Sequence, residues 1–481
     1  MIIIRKREKI INPASFITLQ LAFILLTTGC SKLVEVNTPT TSIDAKNVYS
    51  NNLTASAVLT GIYTGLSASG ITGNDFSAIG FITGLSGDEL VLYNGSRDVR
   101  LKSYYQNNLK NITSRIEFWT AIYKVIYITN LSIEGLTNSS SLTPGVKKQL
   151  LGEAKFLRAF SYFYLVNLYG DVALSTTTDF TTNNILGRSP KEKIWSQIIA
   201  DLNESIELLS PRYLDGSLLK ETSERIRPIK WAAIALLARS YLYTQDWRNA
   251  EIQASAIIEN TALYKIDSLN KTFLMNNMEA IWQLQPVNIG SNTEDAKTYI
   301  IPPTGLSVFT PVYLSPELLN SFEKNDRRKL LWIDSVSISN ISYYYASKYK
   351  IGTIDQPLME YNTVLRLGEQ FLIRAEARAQ QNNFEGSCSD LNVIRTRAGL
   401  SGINLNVKAL LLTAIYHERQ VELFTEWGHR WLDLKRTQTV NEVMSHVTPQ
   451  KGGIWSVNWQ LFPIPSYDII SNGNLTQNVG Y

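Results

Sequence analysis

KQLLGEAKFLRAFSYFYLVNLYG, residues 148–170, places Leu150, Ala154, Leu157, Phe160, Tyr164 and Leu168 at steps of three and four. That spacing keeps returning to one side of an α-helix, so the stretch predicts a long amphipathic helix with an apolar stripe. Gly170 stands where helices commonly stop on a residue of positive φ, since glycine has no Cβ to clash there. Such a stripe is stable only against other helices, and the flanking sequence supplies them.

Upstream, Ile116 to Leu136 carries Trp119, Ile122, Tyr123 and Ile126 at helical spacing. Downstream, Ser189, Pro190 and Glu192 read as a capping box, in which the serine oxygen accepts an early N–H and the glutamate reaches back. Proline suits the first helical position because its missing donor is not needed there. Ile194, Ile198, Leu202, Ile206 and Leu209 then form one stripe that stops at Pro211. Trp231–Thr244 and Trp247–Asn260 form a helical pair across a tight turn. LLARSYLYTQDW (236–247) and IRAEARAQQNNF (373–384) share a layout of small-residue helix, polar turn and aromatic residue. This degenerate echo predicts hairpins of the tetratricopeptide type, in which small residues let helices approach and the ring closes the pair.

Two regions read as non-helical. Residues 66–97 are rich in Gly, Ser and Asp. Residues 276–359 carry Pro286, Pro302, Pro303, Pro311, Pro316 and Pro357 between short β-branched or aromatic runs. Long irregular connections of this kind are commonly functional. The second holds too many rings for disorder, among them Trp282, Tyr299, Phe309, Tyr313, Trp332, Tyr343, Tyr344, Tyr345 and Tyr349. The combination predicts a helical frame with a ligand face grafted onto it.

With 481 residues and 44% hydrophobic content, the chain can build one large domain or two intimately packed ones. Its net charge of +4 comes mostly from Arg5, Lys6, Arg7 and Lys9, so no basic face for nucleic acid is in prospect. Two cysteines, Cys30 and Cys388, exclude a disulfide framework. The N-terminus reads as an address: a basic start, an apolar run from Phe16 to Leu26, then Thr27-Thr28-Gly29-Cys30. The apolar run is roughly half the ~20 residues a spanning helix needs, which predicts a secretory signal over 1–29. Small residues before a cysteine resemble a bacterial lipobox, with Cys30 acylated and residues 30–45 as tether.

Four blocks extend the reading: GEAKFLRAFSYFYLVNLYGDVAL (152–174), RAEARAQQNNFEGSCSDLNVIRTRAGL (374–400), ERQVELFTEWGHRWLDLKRT (418–437) and LFPIPSYDIISNGNLTQNVGY (461–481). In this order they resemble the signature of the SusD-like (RagB/SusD) family of outer-membrane nutrient-binding lipoproteins. The resemblance implies a mostly α SusD-like fold with degenerate tetratricopeptide-like hairpins, loop-rich insertions and short strands. It divides the mature chain into an N-terminal helical region, 46–265, and a C-terminal SusD/RagB region, 266–481. It implies a non-catalytic, surface-exposed lipoprotein of the cell outer membrane; the residues themselves offer no cofactor motif and no metal-ligand spacing. The protein would hand an oligosaccharide, or in some relatives a peptide, to a SusC-like TonB-dependent transporter.

The signature residues Glu153, Arg158, Arg374, Glu376, Arg395, Arg397, Glu418, Arg419, Glu422, Arg430, Asp433 and Arg436 sit among apolar neighbours. Charges there must be paired, so a network of arginine–carboxylate forks joining hairpins is expected. The rival is a glycoside hydrolase, which needs two acids flanking a cleft. The closeness of each acid to an arginine favours pairing. His417, His429 and His446 lack partners at zinc spacing and read as structural. Ser86 and Ser307 lack a nucleophile elbow. Cys388 reads as a buried thiol. The acids of the insertions are too scattered for a calcium loop.

A glycan surface needs exposed rings beside polar groups on a loop. GDELVLYNGSRDVR (87–100) fits, with Asp88 and Glu89 resembling the family's landmark ahead of its ligand loop. Tyr93, Asn94 and Arg97 are the expected reaching residues, with Tyr299 and Tyr313 from the second insertion. A purely structural helical adaptor is the remaining alternative.

Overall fold

In the computed structural model, which describes residues 48–68, 79–113 and 118–481, the stretch quoted first lies within a 26-residue helix, Pro144–Tyr169. The expected signal, Cys30 and the tether fall outside the described residues. Tyr49–Tyr481 form one unit.

In chain order the helices and strands of this unit begin with α1 (Asn52–Ser67), α2 (Ile79–Ser86), β1 (Leu90–Leu92) and α3 (Val99–Tyr105). The long helices α4 (Trp119–Asn138), α5 (Pro144–Tyr169), α6 (Lys191–Leu208), α7 (Lys230–Tyr243) and α8 (Trp247–Ile258) come next. The insertion supplies β2 (Ala280–Leu284), α9 (Glu294–Tyr299), β3 (Val312–Leu314), α10 (Pro316–Ser321), α11 (Arg327–Leu331), β4 (Ile333–Ile338), β5 (Ile341–Ala346) and β6 (Asn362–Arg366). The chain returns to helix in α12 (Leu367–Gln380), α13 (Phe384–Arg397), α14 (Lys408–Leu423), α15 (His429–Arg436) and α16 (Val440–Gln450). The fold is mostly helical, as expected.

Successive helices pack on one another: α4 on α5, α5 on α6, α6 on α7, α7 on α8, α8 on α12, and α12 on α13 and α14. The insertion therefore interrupts the stack between α8 and α12 without breaking it. The two hairpin turns repeat each other in atomic detail. Gln245 and Asn382 both take positive φ, at 61° and 64°. Next to them Asp246 and Asn383 cap the following helices, accepting from Asn249 N–H and Gly386 N–H. Ala238, Ala250, Ala254 and Ala377 are fully buried where α7, α8 and α12 meet, with Trp247 packed over them. Small side chains at such a junction let helix axes approach, and the buried apolar area holds them. Gly152 does the same for α5: a Cβ there would lie 2.8 Å from the Leu209 side chain.

Two local expectations are corrected. The capping box at Ser189 does not form. Ser189 pairs by its backbone with Val172, Pro190 occupies the cap position, and the carboxylate of Asp171 accepts from Lys191 N–H at 2.9 Å instead. A partner supplied by the end of α5 replaces the local one. Residues 66–97 are not wholly irregular either: α2 lies inside them and every one of its residues is buried. Gly80 is there for close approach, since a Cβ would come 2.6 Å from the backbone oxygen of Thr425.

The strands form three antiparallel pairs, β1–β3, β2–β6 and β4–β5. The β4–β5 hairpin turns through Ser339 and Asn340, both at positive φ, as a two-residue turn matched to strand twist requires. β5 also packs beside β3. Among the described residues no helix is long and apolar enough to cross a membrane.

Candidate functional site

Four separate elements bring tyrosines to one open cleft of about 480 Å³. The β1–β3 ladder pairs Val91 with Tyr313, and just beyond it Tyr93 N–H donates to Pro311 O at 2.6 Å. That bond fixes where the loop carrying Tyr93 and Asn94 leaves the ladder. Tyr105 comes from the last turn of α3, and Tyr343 from β5. The rings of Tyr313 and Tyr343 meet edge to face at 5.3 Å. All four tyrosines are half-buried, so each has a packed side and a side open to the cleft. Burial pushes the Tyr105 hydroxyl up to about 12, helped by Tyr313 and Glu317, and raises Tyr313 as well. These hydroxyls stay protonated at neutral pH and can both give and accept hydrogen bonds.

The floor is built by the end of α16. The Lys451 ammonium donates to Leu85 O at 2.8 Å and to Gly87 O, and lies 5.1 Å from the centre of the Tyr105 ring. Gln106 Nε2 reaches the carbonyls of Lys451 and Gly452 at 3.2 and 3.3 Å. Burial lowers Lys451 to about 7, against the opposing pull of Asp88 and Glu317.

Of the expected ligand residues, Tyr93, Asn94 and Tyr313 line this cleft. Arg97 is exposed on the loop next to it and does not line it. Tyr299 is a correction: it is 6% exposed, with its ring 6.4 Å from that of Phe81. The reason is local. Thr293 caps α9 by accepting from Ala296 N–H, and the last turn of that six-residue helix carries Tyr299 inward. Tyr105, Tyr343, Lys102 and Lys451 also line the cleft; Tyr343 counts among the rings of the second insertion, but none of the four is among the expected ligand residues. The half-buried pattern at Tyr343 and Tyr345 is that of a strand face; no local signal marks Lys451.

The twelve charged signature residues are all ion-paired. Arg158 forks onto Asp201 at 2.8 and 2.6 Å, Arg374 onto Asp390 at 2.9 and 2.6 Å, and Arg436 onto Glu376 at 2.6 and 2.8 Å. Glu153 accepts from Arg227, and Asp433 from Arg419 and Arg436, each at 2.7 Å. Arg395 serves Glu323 and Glu418, while Arg397 serves Glu279 and Glu422. Arg366 and Arg328 lie outside the signature, yet both are fully buried hubs, Arg366 among Glu279, Glu422 and Glu426. Burial opposes the charge of Glu422, but Arg397, Arg366 and Arg328 together hold its carboxyl well below the usual range. A carboxylate held as Glu422 is makes a poor proton donor at neutral pH.

Glu323, His417 and Glu418 are the one group among the described residues with donor atoms at metal spacing, all within 4.8 Å. Arg395 already binds both oxygens of Glu323, Arg328 and Arg395 flank Glu418, and His417 Nε2 lies 2.6 Å from Ser321 O. Two guanidinium groups occupy the place a cation would take, so the cluster belongs to the ion-pair network. Cys388 is buried, its Sγ receiving Leu405 N–H at 3.3 Å.

Two family descriptions match the chain. "Starch-binding associating with outer membrane" covers residues 46–242, and "SusD family" covers 333–481. SusD-like protein P2 of Formosa agariphila is 23% identical over 514 residues, spanning 95% of this chain and 98% of its own. A SusD superfamily protein from Bacteroides vulgatus ATCC 8482 superposes with a TM-score of 0.75 at 20% identity, covering 90% of this chain and all of the other. A laminarin-binding SusD-like protein superposes with a TM-score of 0.70 at 22% identity, covering 89% of this chain and 99% of the other.

Proposed function

The chain belongs to the SusD-like family, and from that premise we propose that it is a lipoprotein of the outer cell surface that captures glycans without cleaving them. It delivers them to a SusC-like TonB-dependent transporter and is held to the membrane through Cys30. The observation that carries this reading is the convergence of Tyr93, Tyr105, Tyr313 and Tyr343 on one open cleft. Flat rings stack on the apolar faces of sugars, while protonated hydroxyls and the Asn94 amide bridge sugar hydroxyls. Such open sites bind at about micromolar to millimolar Kd, a range suited to capture followed by release. The engagement of the helix-borne carboxylates by arginine favours binding over hydrolysis. In this reading the loop after β1 and the strands β3 and β5 supply the ligand face, one part from the N-terminal region and the other from the C-terminal region.

Calorimetry of the purified protein against oligosaccharides and peptides tests the ligand class. Saccharide binding lost in Tyr313→Ala supports the reading, whereas peptide binding alone favours a peptide-capturing relative. Release of reducing ends from polysaccharide would favour a hydrolase. Co-purification with a transporter, and loss of acyl mass and surface retention in Cys30→Ala, test the partner and the anchor.

A further inference from the structure

We propose that the tyrosine cleft selects glycans carrying negative charge, carboxylate or sulfate, over neutral ones. The inference rests on reading the cleft as a glycan site and adds the chemistry of its ligand. Among the described residues, the charged side chains lining the cleft are Lys102 and Lys451, and no carboxylate lines it. Lys102 projects from α3 and is exposed. Arg97, also exposed, stands one residue beyond Ser96, itself a lining residue. On the floor Lys451 spends two of its three donors on the Leu85 and Gly87 carbonyls, which leaves a third to give.

The nearby acids are mostly committed. Asp98 spends Oδ1 on the Arg100 and Leu101 amides at the start of α3 and pairs through Oδ2 with Arg100. Asp88 lies under the fork of Arg430. Among the described residues Glu317, half-buried on α10, is the one carboxylate that faces Lys451 and Tyr105 without an arginine partner. Lys102 and Lys451 in the cleft, with Arg97 on the adjoining loop, therefore outnumber the free acid. A neutral glycan offers hydroxyls that need acceptors as much as donors. This cleft offers cationic donors in surplus, which an anionic substituent uses best.

Lys451 adds a dependence on pH. It titrates near 7, faced by Asp88, Glu317 and the Tyr105 ring, so its charge is largely present at pH 6 and largely absent at pH 8.5. Sulfate and carboxylate groups stay ionised across that interval. Retention of an anionic glycan should therefore weaken as pH rises, and retention of a neutral one should not.

Affinity electrophoresis of the full chain tests this, in gels holding polygalacturonate (carboxylate), carrageenan (sulfate), or the neutral starch and laminarin. The expected result is retention by an anionic gel, weaker at pH 8.5 than at pH 6. It should drop about tenfold in the doubly substituted Lys102→Ala, Arg97→Ala chain. The gel that retains the protein tells carboxylate from sulfate. Both substituted side chains are exposed, so folding is not at stake. Retention by neutral gels alone overturns the proposal, as does anionic retention unchanged in the double variant. If neutral retention is abolished by Tyr313→Ala, the glycan reading stands and only the charge preference falls. Retention by no gel of either class removes both.

Discussion

Arg430 forks onto Asp88, with Nε at 2.9 Å from Oδ1 and Nη2 at 2.6 Å from Oδ2, joining α15 to the residue that opens the β1 segment. The backbone oxygen of the same Asp88 accepts from Ser315 Oγ, at the start of α10. One aspartate thus holds the roots of β1 and β3, the two strands that place Tyr93 and Tyr313. Asp88→Asn leaves a half-buried guanidinium without the buried carboxylate it forks onto, a loss of about 3 kcal/mol, the lower end of the range for buried pairs. Urea titration should show an unfolding free energy lower by that amount, with an unchanged slope. The double variant Asp88→Asn, Arg430→Gln should lose less than the two single losses added together, because the uncompensated charge is gone.

The tyrosines of the insertion separate into two mechanical classes. Tyr313 and Tyr343 are half-buried in the cleft, whereas Tyr299 is packed against Phe81. Tyr313→Ala or Tyr343→Ala should weaken glycan retention about tenfold, as loss of one stacked ring does, with little change in Tm. Tyr299→Ala should leave a cavity and cost about 3–5 kcal/mol of stability. Paired calorimetry and thermal denaturation on the three variants would check the split. Equal losses of Tm in all three would contradict it.

The helical frame could be read along the chain because its signal is local: a period near 3.6 sustained over three turns or more, as in α5 and α6. The hairpin echo was legible for the same reason, since Gln245–Asp246 and Asn382–Asn383 perform the same turn. What sequence reading missed depended on distant partners. The glycines of residues 66–97 count toward an irregular stretch, but Gly80 is glycine to admit the backbone of Thr425. The cap of α6 comes from Asp171 and not from Ser189, two residues away from the helix. In the cleft, Tyr93, Asn94 and Tyr313 share one ladder and its exit, whereas Lys451 arrives from the far end of the chain. No periodicity links a residue after α16 to a loop after β1.

The alanine seam between α7, α8 and α12 makes a separate prediction. Ala254 is fully buried there, beside Ala238, Ala250 and Ala377. Ala254→Leu adds volume where helix axes are already close and should cost about 1–3 kcal/mol. The cleft lies on other elements, so glycan retention should be unchanged under conditions where the variant stays folded. Denaturant titration and affinity electrophoresis on one preparation would measure both.

Glu89 gives the stability of the protein a dependence on pH. Its carboxyl is buried beside Asp88, and together burial and that neighbouring charge push it up to about 8, against the Thr425 N–H, Arg430 and Lys348. Asp295 is raised to about 7, by burial and then by Glu426. An unfolded glutamate releases its proton near pH 4.3, so above that pH the unfolded chain holds fewer protons than the folded one. Stability from this source is complete below the unfolded value and declines until the folded value near 8 is passed. Glu89→Gln keeps an oxygen for Thr425 N–H and cannot ionise. Relative to the native chain, the variant should gain stability between pH 5 and pH 8. Asp88 and Glu426, held below their ordinary values against burial by arginine and lysine neighbours, lose their contribution only in acid, outside this window. Urea midpoints of both chains at the two pH values give the comparison. A variant-minus-native difference that stays constant from pH 5 to pH 8 would mean that Glu89 is already ionised in the fold.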